Sequence, residues 1–316
     1  MPKQKKISLA ILDMYENAPN EGMRCIRAIA QELSDFIDWQ EFDVRYKNEV
    51  PTKKYDIYIS TGGPGSPFDG EGKEWEKKYF DLIDSIWAHN QNGTKRKKYL
   101  FAICHSFQLL GRHFELGNVC PRKSNAFGVF PVHRTEIARQ DHFFHSLPDP
   151  YYVVDSRDWQ MIEPNYPKMK ELGASILAIE KKREHVDYER AVMALKLSNE
   201  IYMTQFHPEA DAEGMLRHFA NPERRNKIIS SHGDWKLEDM IRSLSDPLKI
   251  PLTHKEIIPS FLRSAINAVS YTHLRAHETV LDLVCRLLLE KKQTNTSMNH
   301  ISSYISQSHH HLYDRT

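Results

Sequence analysis

The chain has 316 residues, with 43 lysines and arginines against 42 acidic residues and 40% hydrophobic residues. That length supports one large α/β domain with an appendage, or two modest domains, around a sizeable core. The near-zero charge balance argues against nucleic acid or an anionic membrane as the main partner and for a small molecule or a protein. No apolar run approaches the roughly 18 residues of a membrane span. Four cysteines, Cys25, Cys104, Cys120 and Cys285, show no CxxC spacing. The opening stretch MPKQKKISLAILDMY has too short an apolar run for a signal peptide. The expected setting is a reducing cytoplasm with free thiols and no metal site.

The first half alternates β-branched or aromatic runs with helical patterns, which predicts βαβ units and a mostly parallel central sheet flanked by helices. KISLAILDMY reads as the first strand, and EGMRCIRAIAQELSDF as the helix after it, with Met23, Ile26, Ile29, Ala30 and Leu33 at helical spacing. A strand around WQEFDVRY follows, then YDIYISTGG entering a Gly/Pro loop, the helix KEWEKKYFDLIDSIWAH and the strand KKYLFAIC. The run KRKK at 95–98 reads as a solvated connection, since no interleaved aromatics support nucleic-acid binding. From about 126 the texture becomes hairpin-like, predicting that part of the sheet is antiparallel or that a small β layer covers one end. From Ala210 the pattern is helical again to about 268, with Met215, Leu216, Phe219, Leu237, Met240, Ile241 and Leu244 as packing positions.

Three pieces carry chemistry. LFAICHSFQLLG sets Cys104 between an apolar strand and an apolar-periodic helix. A strand turning directly into a helix lifts the turn side chain out of the fold, and the helix N-terminus supplies N–H groups and a positive dipole end. The small residues such an elbow needs on either side are Ala102 and Ser106. Taken alone, an apolar-flanked cysteine also reads as a buried hydrophobe. YISTGGPGSP, residues 58–67, runs a strand into Gly62, Gly63, Pro64 and Gly65, a turn whose outward amides suit an anion or a developing oxyanion, or simply a tight turn. It lacks the Walker lysine, so it is no phosphate cradle. In MTQFHPEAD, residues 203–211, Pro208 turns the chain after His207, and Glu209 stands close enough to orient the imidazole. Together the three supply a nucleophile, oxyanion donors, a base and its orienter.

On these residues the sequence resembles the class I (triad) glutamine amidotransferases, whose GGP loop, G-[IV]-C-x-G-x-Q elbow and Q-x-H-P-E ending correspond to TGGPGSP, AICHSFQ and QFHPE, in the same order over about residues 7–220. The resemblance implies a flavodoxin-like three-layer α/β fold with some antiparallel strands. It implies Cys104 as nucleophile, His207 as general base and Glu209 as its orienter. Gly63 and the His105 backbone N–H would form an oxyanion hole, with Gln108, Pro64 and Gly65 contacting substrate. The implied reaction releases ammonia from the glutamine side-chain amide through a cysteine thioester, without metal or organic cofactor. A separate synthetase subunit is the implied acceptor of the ammonia. Alternatives on the same triad are a γ-glutamyl hydrolase and a homoserine acyltransferase-like enzyme; another is a non-catalytic binding protein that keeps the fold. The sequence departs from the family pattern at Ala102 and Ser106, which replace the elbow glycines, and at Arg157, which follows Ser156 where many relatives carry histidine. The expected organisation is an amidotransferase-like domain over 1–220, a helical appendage over 221–268 and a spurious or disordered tail over 269–316. Within that tail, about 268–293 resembles translated sequencing adapter, and the polar ending with its histidines at 309–311 has no assigned role.

Overall fold

The computed structural model describes residues 6–18, 20–182 and 189–272. The chain forms two units, residues 1–267 and 268–316; of the second, 268–272 are described and are helical. The rest of the expected tail, with Cys285 and the histidines at 309–311, lies outside the described residues. No helix among the described residues is long and apolar enough to cross a membrane.

In the first unit, β1 (Ile7–Asp13) is followed by α1 (Glu21–Glu32), β2 (Ile37–Asp43), α2 (Val44–Lys47), β3 (Ile57–Ser60), α3 (Glu74–Gln91), β4 (Tyr99–Ile103) and α4 (His105–His113). The central strands are apolar throughout because helices cover both sheet faces: Leu9, Ala10, Ile11 and Leu12 are all buried. The Asn20 side chain caps α1 by accepting from the Met23 amide at 2.7 Å, and the predicted stripe of Met23, Ile26, Ile29 and Ala30 faces inward together with Cys25.

The second half supplies β5 (Asn118–Arg134), β6 (Tyr151–Ile162), α5 (Tyr166–Leu172), β7 (Ser175–Glu180), β8 (Val192–Ser198) and β9 (Ile201–Thr204). All nine strands join one mixed sheet in the order β2-β1-β3-β4-β9-β8-β7-β5-β6. Pairing is parallel from β2 to β9 and antiparallel from β9 to β6. The hairpin-like texture thus extends the main sheet rather than forming a separate layer. β4 lies between β3 and β9, so their three carboxyl ends open side by side, where ligands of open α/β sheets bind. Although β6 closes the far edge, the His207 amide donates to Val154 O at 2.9 Å, which brings the middle of β6 against the loop after β9.

The run KRKK is not wholly solvated. Arg96 pairs with buried Asp56 at 2.7 Å and Lys98, itself buried, reaches the same carboxylate at 3.5 Å. Burial by itself would push the Asp56 pKa up, but bonds from Arg96 and Ser8 outweigh it and hold the pKa below the ordinary value.

After β9 come α6 (Ala212–Ala220), α7 (Pro222–His232), α8 (Asp234–Leu244), α9 (Ile250–Glu256) and a helix starting at 258. Phe219, Ile228, Leu237, Met240 and Leu244 join Val129 of β5 and Val154 of β6 in a second hydrophobic cluster. Phe261 is fully buried, meeting the rings of Phe101 at 5.2 Å and Phe143 at 5.7 Å edge-on. Phe261→Ala should lower the unfolding free energy by about 3–5 kcal/mol. Urea unfolding tests this: a loss below about 1 kcal/mol would mean that this helix is not part of the cooperative core.

Candidate active site

Cys104 occupies the single residue between β4 and α4, at φ 48° and ψ −97°. This positive φ in a non-glycine residue is strained, as expected of a nucleophile elbow. Its amide donates to Thr204 O at 2.7 Å and its carbonyl accepts from the Gln108 amide at 3.1 Å. Those bonds tie the turn to the end of β9 and to the first turn of α4.

Past Thr204 the chain delivers His207, whose Nδ1 meets Glu209 Oε1 at 2.7 Å. The other side of the imidazole is in hydrogen-bonding contact with the Cys104 thiol. Glu209 is completely buried, and its Oε2 has no hydrogen-bond partner among the described residues. Burial would push the His207 pKa down, but the Glu209 and Cys104 charges beside it outweigh that and hold it well above the ordinary 6.5. A thiol, an imidazole and a buried carboxylate in this order can generate a thiolate nucleophile and return its proton to a leaving group.

The glycine loop after β3 closes the other side. A Cβ on Gly62 would stand 2.8 Å from the His207 ring, and one on Gly63 would stand 2.3 Å from Met14 O, so only glycine fits at either position. Buried Arg45 straps the loop, donating to Met14 O at 3.2 Å and Pro64 O at 2.6 Å. Cys104, His207, Glu209, Gly63, Pro64, Gly65 and Gln108 all border one cavity of about 500 Å³. Gln108 Nε2 donates to Gln205 Oε1 at 3.2 Å.

A family model described as glutamine amidotransferase class-I matches residues 11–221, which include all three motifs. The chain belongs to that family. No curated protein matches it in sequence. In structure it is similar to a glutamine amidotransferase from Thermotoga maritima, at 17% identity and a TM-score of 0.61, covering 83% of this chain and 99% of that one. It is also similar to a glutamine amido transferase from Methylobacillus flagellatus, at 13% identity and a TM-score of 0.58, covering 85% and 95%. The A-type chain of a putative GMP synthase from Thermoplasma acidophilum aligns at 16% identity and a TM-score of 0.50, covering 86% and 99%. At these identities the likeness speaks for the fold.

The departures from the class I glutamine amidotransferase pattern have local explanations. The Cβ of Ser106 is accommodated because its hydroxyl donates to Thr61 O at 2.6 Å and shares a 2.8 Å bond with Ser60 Oγ. The serine thereby ties the nucleophile helix to the glycine loop. The Arg157 guanidinium is held by both Asp155 oxygens, at 3.1 and 2.9 Å, and the Ser156 carbonyl stands 3.8 Å from the Cys104 sulfur.

Sequence reading missed three contributors. The phenol of Tyr15 faces the Cys104–His207–Glu209 group, and burial, then Glu209 and Cys104, push its pKa well above the ordinary value, so it stays a neutral donor. Gln205, between the strand and His207, donates from Nε2 to the Cys104 sulfur at 3.7 Å. His254 of α9, far along the chain, donates from Nδ1 to the backbone oxygen of Glu209 at 3.0 Å. The QFHPE motif contained the signal for Gln205; nothing local marked Tyr15 or His254.

His105 contributes its amide to the elbow, while its imidazole turns inward with neither nitrogen hydrogen-bonded among the described residues. Burial, with Arg45 and Arg112 adding repulsion, pushes its pKa down to about 3.

The two histidines therefore make opposite predictions. A raised folded-state pKa makes the stabilisation from the charged His207 fully present below about 6.5 and lost as pH rises through the raised value. In Glu209→Gln the His207 ring should titrate at distinctly lower pH, by NMR; an unchanged titration would mean that the carboxylate does not set it. The depressed pKa of His105 makes its contribution fully present above 6.5 and lost as pH falls toward about 3. In His105→Leu, the drop in urea midpoint between pH 7 and pH 4 should be smaller than in the wild type, and an equal drop would refute the assignment.

Proposed function

We propose that the protein is a cysteine-dependent glutamine amidotransferase acting on a γ-glutamyl amide bond. The observation that carries the reading is the strained Cys104 elbow in contact with His207, whose Nδ1 is held by Glu209 at 2.7 Å.

In this reading the Cys104 thiolate attacks the γ-carbonyl carbon of glutamine. The developing oxyanion faces the amides of Gly63 and His105, preorganised donors that need no rearrangement. His207, charged by the proton taken from the thiol, passes it to the departing nitrogen as the C–N bond breaks. Water, deprotonated by His207, then cleaves the thioester to glutamate and frees the thiol. Glu209 holds the tautomer and steadies the imidazolium. Gln108, Pro64 and Gly65 border the space for the bound substrate. No step calls for a metal or an organic cofactor. A separate synthetase that takes the ammonia is the partner this reading favours, consistent with the likeness to a chain of a putative GMP synthase.

The test is release of glutamate and ammonia from glutamine, together with mass spectrometry after treatment with a glutamine-analogue electrophile. Wild type should carry one adduct on Cys104, Cys104→Ser none, and His207→Ala should label at least about a hundredfold more slowly. No turnover with or without candidate synthetases, combined with no adduct on Cys104, would sink the reading.

A further inference from the structure

The cavity over Cys104 holds about 500 Å³, well inside the roughly 300–1,000 Å³ of sites that enclose drug-sized ligands and far more than free glutamine would fill. Its walls differ by side. Around Gln108 the lining includes Asn125, Ser156 and Asp158, with Asn125 Nδ2 on Asp158 Oδ1 at 2.9 Å. The opposite side is formed by Phe127, Val154, Ala210, Met215, Phe219 and Met240.

That apolar side is built into the core. Its six residues belong to or pack against the second hydrophobic cluster, beside Leu237 and Leu244. The Phe127 ring stacks on His232 of α7, with centroids 5.2 Å apart and planes 14° apart. Lys236 of α8 lies over the Phe130 ring at 4.4 Å, and a Cβ on Gly128, which has φ +135°, would collide with that lysine. Met240 comes from α8, beyond the residues 11–221 matched by the family model.

A γ-glutamyl amide presents a charged α-amino acid end and, across the scissile bond, the substituent on its nitrogen. Setting an α-ammonium and an α-carboxylate against Met and Phe side chains would strip their hydration without return, so that end belongs on the polar side. The apolar side is then left for the nitrogen substituent. Ammonia has no apolar surface and gains nothing there.

We infer that the preferred substrate is the γ-glutamyl amide of a primary amine with an apolar body, seated against Met215, Phe219 and Met240. This rests on the reading of Cys104 as the acyl acceptor. The thiolate forms the C–S bond and the C–N bond breaks. The His207 proton goes to the amine, and water hydrolyses the thioester, so that amide and water give glutamate and free amine. Methionine is unbranched and adaptable, which suits a pocket accepting amines of varied shape.

The experiment compares kcat/KM for glutamine, γ-glutamylmethylamide, γ-glutamyl-n-butylamide and γ-glutamylbenzylamide by glutamate release, with Cys104→Ser as background. The butyl and benzyl amides should exceed glutamine by about tenfold or more. In Met240→Asp that preference should fall at least about tenfold, and Met240→Ala should lower it less. The wild-type series decides the matter should a variant fail to fold. Turnover of glutamine with equal or slower turnover of the apolar amides overturns this inference alone, as does labelling of Cys104 without turnover of any amide. Silence on every substrate with no label on Cys104 overturns the amidotransferase reading itself.

Discussion

Cys104 adopts a backbone conformation, φ 48° and ψ −97°, that costs an ordinary L-residue about 1–3 kcal/mol and survives only where its surroundings over-determine it. Here the Cys104 amide is drawn to Thr204 O, its carbonyl caps the first turn of α4, and Ser106 anchors that turn to Thr61 O. Each constraint comes from a parallel neighbour of β4. The elbow, the glycine loop and the His207 loop share one edge because β3 and β9 flank β4 in register. If either neighbour lost its pairing, the strained turn would relax and the thiol would leave the imidazole.

The electrostatics around that turn show two imidazoles close in space and opposite in state. His207 lies against a buried carboxylate, so its charged form is favoured despite desolvation. His105 faces two arginines and no acceptor, so it remains neutral. Burying the Glu209 carboxylate is costly unless a cation and hydrogen bonds compensate. His207 supplies the cation, while His254 fixes the backbone that carries the carboxylate. Tyr15, kept neutral by the same field, fills space that Gly22 leaves open: a Cβ there would sit 2.2 Å from the phenol oxygen and 3.2 Å from Glu209 Oε1.

The helices after β9 contribute on two levels. α9 holds the Glu209 loop through His254 and the β6 backbone through Thr253, which donates to Tyr152 O at 2.7 Å. α6 and α8 give the cavity its apolar side. The site is thus made jointly by the sheet edge, which carries the reactive groups, and by later helices, which shape the space over them. That division lets chemistry and selectivity vary separately.

The sequence by itself determined the elements and the reactive groups. Strand and helix periodicity, the small residues around Cys104, the glycines after β3 and the spacing of His207 and Glu209 are local properties, and local sterics and hydrogen bonding explain them. Even the serine that breaks the glycine pattern at 106 was visible there; its compensation was not, because Thr61 and Ser60 approach it only when β3 pairs with β4. Tertiary structure alone decided strand order, the continuity of the antiparallel half with the main sheet, and the partners drawn from far away: Tyr15, Arg45, His254 and Met240. Such contacts depend on which faces meet after long loops close, and no periodicity or spacing within one segment encodes that meeting.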